Sequence, residues 1–235
     1  MNAELEEKTE RIAKMLDKEG LGSVLLNAQH NFAWLTGGGS NGIDLSRENG
    51  AASILITRKG KRYLIANNIE MPRLLSEEVS EHDFESVEIA WQEEKSTGDT
   101  ALRIVEGLVE GKIATDVPLF AGTPTIESKI APCRYQMTSD ELARYRELGR
   151  DAGSAIRRII ETLLPGETEL SVAQKMRNEL ASKDIASVVT LVAADERIAR
   201  FRHPIPTEKT WNKTLLMVTC AKRFGLIVSL SLAVA

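Results

Sequence analysis

The densest run of chemistry-bearing side chains is Arg197-Ile-Ala-Arg-Phe-Arg-His203-Pro-Ile-Pro206-Thr. Arg197, Arg200 and Arg202 could bind an anion or a carboxylate, with His203 as acid or base. Two prolines stiffen the segment and would hold the imidazole in place. Two readings follow from these residues: a ligand-binding loop with His203 transferring a proton, or a solvated basic loop with a structural histidine.

Other clusters carry less. Gly37-Gly-Gly-Ser-Asn-Gly42 looks like a phosphate cradle, yet it lacks the Lys-Ser/Thr of a P-loop, and no dinucleotide fingerprint occurs in the chain. It reads as a flexible turn, with Asp44 and Arg47 just beyond it. His30 and His82 have no metal-ligating partner at useful spacing and read as structural. Cys220 falls in an apolar strand, where burial would raise its pKa, and neither it nor Cys133 has a nucleophile signature.

These residues need elements to position them. Leu5, Ile12, Met15 and Leu16 fall near one face of a helix over 4–19, with charges elsewhere, and Gly20-Leu-Gly22 ends it. Residues 23–27 predict a short strand; 51–57 and 62–66 predict a β-hairpin. A helix over 70–79, a strand over 84–91, a helix over 100–109 and a strand over 112–117 follow, an alternation that argues for an α/β layer. The periodicity lapses around Pro132–Met137. Beyond it, Ser139 is placed to cap a long amphipathic helix over 140–164, stopped by Pro165-Gly166. Thr168-Glu-Leu-Ser begins a second helix that runs to about Ser182, and three strand candidates lie at 188–193, 215–221 and 226–230. Two domains are expected, 1–134 and 138–235.

Composition narrows the function. The 235 residues carry 30 basic and 34 acidic side chains, a net charge of −4, which is not the footprint of a nucleic-acid binder. No apolar run reaches the roughly 18 residues of a membrane helix, and the charged start is unlike a secretory signal. With two cysteines, a cytoplasmic protein with reduced thiols is expected.

From Met137 onward the sequence resembles the Xaa-Pro aminopeptidase, prolidase and creatinase superfamily, whose catalytic domain has the α+β "pita-bread" fold. The resemblance rests on Thr138-Ser-Asp-Glu-Leu-Ala-Arg-Tyr-Arg146, on Leu164-Pro-Gly-Glu-Thr-Glu-Leu-Ser-Val-Ala173, on His203-Pro and on Gly225-Leu-Ile-Val-Ser229. Asn31-Phe-Ala-Trp-Leu-Thr-Gly37 is similar to a motif of creatinase-type amino-terminal domains. The resemblance implies a creatinase-type α/β domain followed by the first part of a pita-bread domain. It also implies a hydrolase acting on a small peptide or small molecule, His203 as substrate-binding or proton-transferring residue, and a homodimer.

The departures are as informative as the match. Relatives hold two divalent metal ions, such as Mn, Co or Zn, with two Asp, a His and two Glu. Alignment on Gly225 puts Val218 and Ser229 at the two Asp positions and Leu232 at a customary Arg, and no Asp or Glu follows Glu208. Neither Val nor Ser offers the carboxylate that a hard cation prefers, so no metal cofactor is expected. The remaining ligands come from later strands in relatives, whereas the sequence stops at Ala235 with an apolar edge strand expected. The expectation is a hydrolase-like protein with a degenerate metal site and an incomplete catalytic domain. The alternatives are a metal-independent, creatinase-like hydrolase using His203, with Arg200 or Arg202 on a substrate carboxylate, and a non-catalytic relative kept for binding or dimerisation.

Overall fold

The computed structural model describes residues 2–80, 82–96 and 100–235. The chain divides into two compact units, Met1–Asp140 and Glu141–Ala235.

The first unit is a five-stranded α/β layer. Its elements are α1 (Ala3–Glu19), β1 (Ser23–Ala28), α2 (Gln29–Thr36), β2 (Asn49–Thr57), β3 (Arg62–Asn67), α3 (Met71–Arg73), β4 (Glu85–Ile89), α4 (Trp91–Ser96), α5 (Thr100–Leu108), β5 (Ile113–Thr115) and α6 (Glu127–Ile130). The strand order is β4-β3-β2-β1-β5. β1 runs parallel to β5 and β3 parallel to β4, while β2 is antiparallel to both of its neighbours. Every residue of β1 is buried, as befits a central strand covered on both faces. On one face Val24, Leu26, Ile54, Ile56 and Leu64 pack against Leu5, Ile12 and Leu16 of α1 and Phe32 and Leu35 of α2. On the other, Leu25, Leu55, Tyr63 and Ile65 pack against Val105 of α5. Asn2 caps α1 by accepting from the Leu5 amide, and Gly20 closes it in the left-handed conformation at φ 66°. The helix expected over 70–79 is only one α-turn, α3, which widens into a π-helix over Leu74–Glu78.

The second unit is an antiparallel sheet under two helices. α7 (Ser139–Ile160) and α8 (Glu169–Ala181) precede β6 (Ala186–Ala194), the single turn α9 (Arg197–Arg200), β7 (Leu215–Arg223) and β8 (Leu226–Val234), in the sheet order β6-β7-β8. Ser139 is the first helical residue and not the cap, and α7 ends at Ile160, before the expected Leu164. Its exit is made by Thr162 and Leu163 amides bonding three residues back, so the chain has left the helix before Pro165, whose ring disfavours helical backbone in the residue ahead of it. Along β7 the side chains alternate strictly. Leu215 and Met217 pack with Ile156 and Ile159 of α7 and Val172 and Met176 of α8. Leu216, Val218 and Cys220 point to the opposite, more open face. Cys220 is therefore half-exposed, contrary to its expected burial, because the period-two count turns Thr219 inward instead.

Candidate functional site

The loop between β6 and β7 carries all four residues singled out by sequence. It begins at Asp195, a left-handed residue with φ 51°. The Asp195 carboxylate accepts from the backbone amides of Thr214 (2.9 Å), Lys213 (2.9 Å) and Asn212 (3.1 Å), tying the start of the loop to its end. Those amide donors, Thr214 first, hold its carboxyl below the usual range.

The second tie is Glu169, in the first turn of α8, whose side chain is fully buried. It accepts from the Ala194 amide (2.8 Å), the Thr207 amide (2.9 Å) and the Thr207 hydroxyl (2.8 Å), and it pairs with the Arg197 guanidinium. Burial opposes its charge, but the hydrogen bonds from Arg197, Thr207 and Ala194 prevail and hold its pKa below the ordinary value. Thr168 positions the carboxylate by capping α8 through its hydroxyl. Pro204, buried, gives its carbonyl to the Val192 amide.

The four candidates thus separate into two kinds. Arg197 is committed to Glu169, donates also to the Ile205 carbonyl (3.0 Å) and lies 5.3 Å from the Phe201 ring centroid. Arg200, Arg202 and His203 are exposed at the loop tip. Among the described residues no hydrogen bond or ion pair engages these three. Sequence reasoning missed Glu169, Asp195 and Thr207, which hold the loop. The Pro-Gly-x-Thr-Glu turn signalled a helix start but not the distant loop that its glutamate grips.

The open face of the sheet is a second locus. Val218 pairs with Ser231 and Cys220 with Ser229 across the β7–β8 hairpin, so all four side chains share that face. The Cys220 sulfur lies 3.3 Å from the Ser229 hydroxyl. Leu191 and Ala193 stand opposite Val218 and Leu216 on β6. Among the described residues, no group of three or more His, Cys, Asp or Glu is placed to hold a metal ion.

In the first unit, Asn31 links two carboxylates at the carboxyl end of β1. Its amide nitrogen donates to Asp116 (2.9 Å) and Glu127 (2.7 Å), and its oxygen accepts from Arg134. Asp116 also accepts from the Asn27 and Ala28 amides (2.9 Å each). Burial pushes its carboxyl up despite those donors. Glu127 meets His30 (3.3 Å) and Arg134 (2.7 Å). His30 is thus joined to this network through Glu127. His82 donates its backbone amide to the Ser80 hydroxyl.

No helix among the described residues is long and apolar enough to cross a membrane. No protein-family model and no curated protein sequence matches the chain. Solved structures do. The prolidase from Pyrococcus horikoshii OT3 superposes with a TM-score of 0.74 at 17% identity, over 97% of this chain and 64% of that one. The Xaa-Pro dipeptidase from Bacillus anthracis gives 0.70 at 16% identity, over 98% and 65%. The amino-terminal domain of the FACT complex subunit SPT16 from Cicer arietinum gives 0.68 at 7% identity, over 98% and 66%. The chain spans about two thirds of the length of these structures. Over nearly its whole length, this protein has the creatinase-like, pita-bread fold of the prolidases and Xaa-Pro dipeptidases.

Proposed function

We propose that the chain is a binding-type version of this hydrolase fold, which works without a metal centre and takes a carboxylate-bearing peptide or small acid at the β6–β7 loop. The observation that carries this reading is the chemistry of the open sheet face. Val218, Cys220, Ser229 and Ser231 stand there together, and none supplies a carboxylate. A hard divalent cation takes oxygen ligands, with carboxylates the usual anionic ones, so this donor set does not fit the metal pair of the peptidases. Arg200 and Arg202 remain available for a carboxylate, with His203 beside them, while Arg197 acts as a positioning residue through Glu169. A metal-independent hydrolase using His203 is less well supported: a general base needs a group that orients its ring, and no described residue bonds to this one. The same fold in a protein named as a complex subunit supports a role in binding. Two free thiols suit a cytoplasmic setting.

Calorimetric titration of the purified chain with Mn2+, Co2+ and Zn2+, beside an assay of Ala-Pro hydrolysis in each metal, tests the proposal. Neither saturable metal uptake nor hydrolysis is expected. Binding of a carboxylate-terminated peptide should weaken in Arg200→Ala/Arg202→Ala. Metal-dependent turnover would overturn the reading, as would peptide binding unaffected by the double substitution.

A further inference from the structure

The turn between β2 and β3 concentrates positive charge on a chain whose net charge is −4. Arg58, Lys59 and Lys61 are all exposed there, and all three border a cavity of about 210 Å3 between this turn and the end of α5. Tyr63 and the half-buried Leu108 and Val109 supply its apolar wall. Glu110, exposed, is the single acidic residue among the described residues that line it. The cavity therefore joins an excess of two positive charges to an apolar surface. Its volume is several times the roughly 30 Å3 share of one water molecule and below the roughly 300–1,000 Å3 of pockets for drug-sized ligands, so its occupant must be small.

The backbone beneath these cations is fixed. The Gly60 amide donates to the Thr57 carbonyl (2.9 Å), the Lys61 amide to the Thr57 hydroxyl (3.0 Å) and the Thr57 amide to the Lys61 carbonyl (3.0 Å). Gly60 takes the left-handed φ of 80° that closes this turn. The Arg58 amide reaches the Gly22 carbonyl (2.8 Å), and Gly22 in turn packs directly against the Glu110 backbone. Turn and helix end are thus held against one glycine, and the space between them exists before a ligand arrives, which lowers the ordering cost of binding. Among the described residues no carboxylate pairs with Arg58, Lys59 or Lys61.

A guanidinium takes two phosphate oxygens in its planar fork, and ammonium groups add point charges. A phosphate monoester carries close to two negative charges at neutral pH, which matches the excess at the cavity. We infer that this cavity binds a small phosphate monoester with a compact apolar body, its oxygens on Arg58, Lys59 and Lys61 and its body against Leu108 and Val109. The site lies wholly in the first unit and is independent of the β6–β7 loop.

The probe is phenyl phosphate, titrated into the 15N-labelled full chain at about pH 7.5, where the monoester is mostly a dianion. Phenyl sulfate keeps the body with one charge fewer, and inorganic phosphate keeps the charge without the body. Amide shifts of Lys59, Gly60, Lys61 and Val109 should saturate with phenyl phosphate, and both comparison anions should bind about fivefold or more weakly. Arg58→Gln/Lys61→Gln should weaken phenyl phosphate binding about tenfold, whereas Glu110→Gln, which removes the like charge, should tighten it by about twofold or more. The dispersion of each variant's amide spectrum checks that it is folded. The inference fails if these amides do not saturate, if phenyl sulfate or inorganic phosphate binds as tightly, if the double variant binds like the parent, or if Glu110→Gln does not tighten binding.

Discussion

Replacing Glu169 with alanine removes, in one step, the anchor of the β6–β7 loop. The Ala194 and Thr207 amides, the Thr207 hydroxyl and the Arg197 guanidinium all lose their acceptor. An orphaned buried donor costs about 1–3 kcal/mol, and stripping one partner from a buried ion pair costs about 3–5 kcal/mol. These terms overlap, because the same carboxylate serves every donor, so the expected loss is about 3–5 kcal/mol and not their sum. Against a domain stability of about 5–15 kcal/mol, that is a large fraction. Glu169→Gln keeps one acceptor oxygen and should lose about half as much. Urea unfolding followed by hydrogen-exchange mass spectrometry on peptides from β6 to β8 isolates the second unit, and exchange over 195–207 should quicken even before it unfolds. The pH dependence has a definite sign. The folded pKa of Glu169 lies below its ordinary value of 4.5, so its contribution is complete above about 4.5 and is lost as pH falls through the lower folded value. The Glu169→Gln variant should therefore show a flatter acid limb than the parent, the Asp195 contribution remaining in both. An alanine variant within about 1 kcal/mol of the parent would refute the reasoning.

Two further perturbations probe the framework. Lys8 is fully buried, paired with Glu4 at 2.6 Å, bonded to the Trp34 carbonyl and 5.3 Å from the Trp34 ring centroid; Lys8→Met should cost about 3–5 kcal/mol, and Lys8→Met/Glu4→Leu should recover more than half of it in chemical denaturation. Gly153 in α7 has open space where a Cβ would stand, so Gly153→Ala should stabilise the second unit by about 0.5–1 kcal/mol. At Gly22 a Cβ would lie 2.1 Å from the Glu110 carbonyl oxygen; Gly22→Ala should instead lower the melting temperature, and equal melting of the two variants would contradict the packing described.

Periodicity and caps are local properties, and most elements could be read from them. The hairpin of β2 and β3, the helix α1 with its Gly20 stop and the helix α8 opened by Thr168 all follow from residue order alone. The residue order also puts Val218 and Ser229, neither of them a carboxylate, in the two strands whose open face carries the proposed lack of a metal pair. Which polar side chains turn inward is not a local property. Lys8 and Glu4 stand among the charges of an amphipathic helix, and their own pairing together with the Trp34 carbonyl that α2 brings to Lys8 helps to make burying them tolerable. Arg197 looks in sequence like its neighbours Arg200 and Arg202. Its fate was decided by a glutamate 28 residues away, because a carboxylate removed from water takes the nearest cation and amides that the fold delivers. Contacts between segments distant in sequence have no periodic signature, so the helices and strands belong to the residue order, and the loop anchor belongs to the tertiary structure.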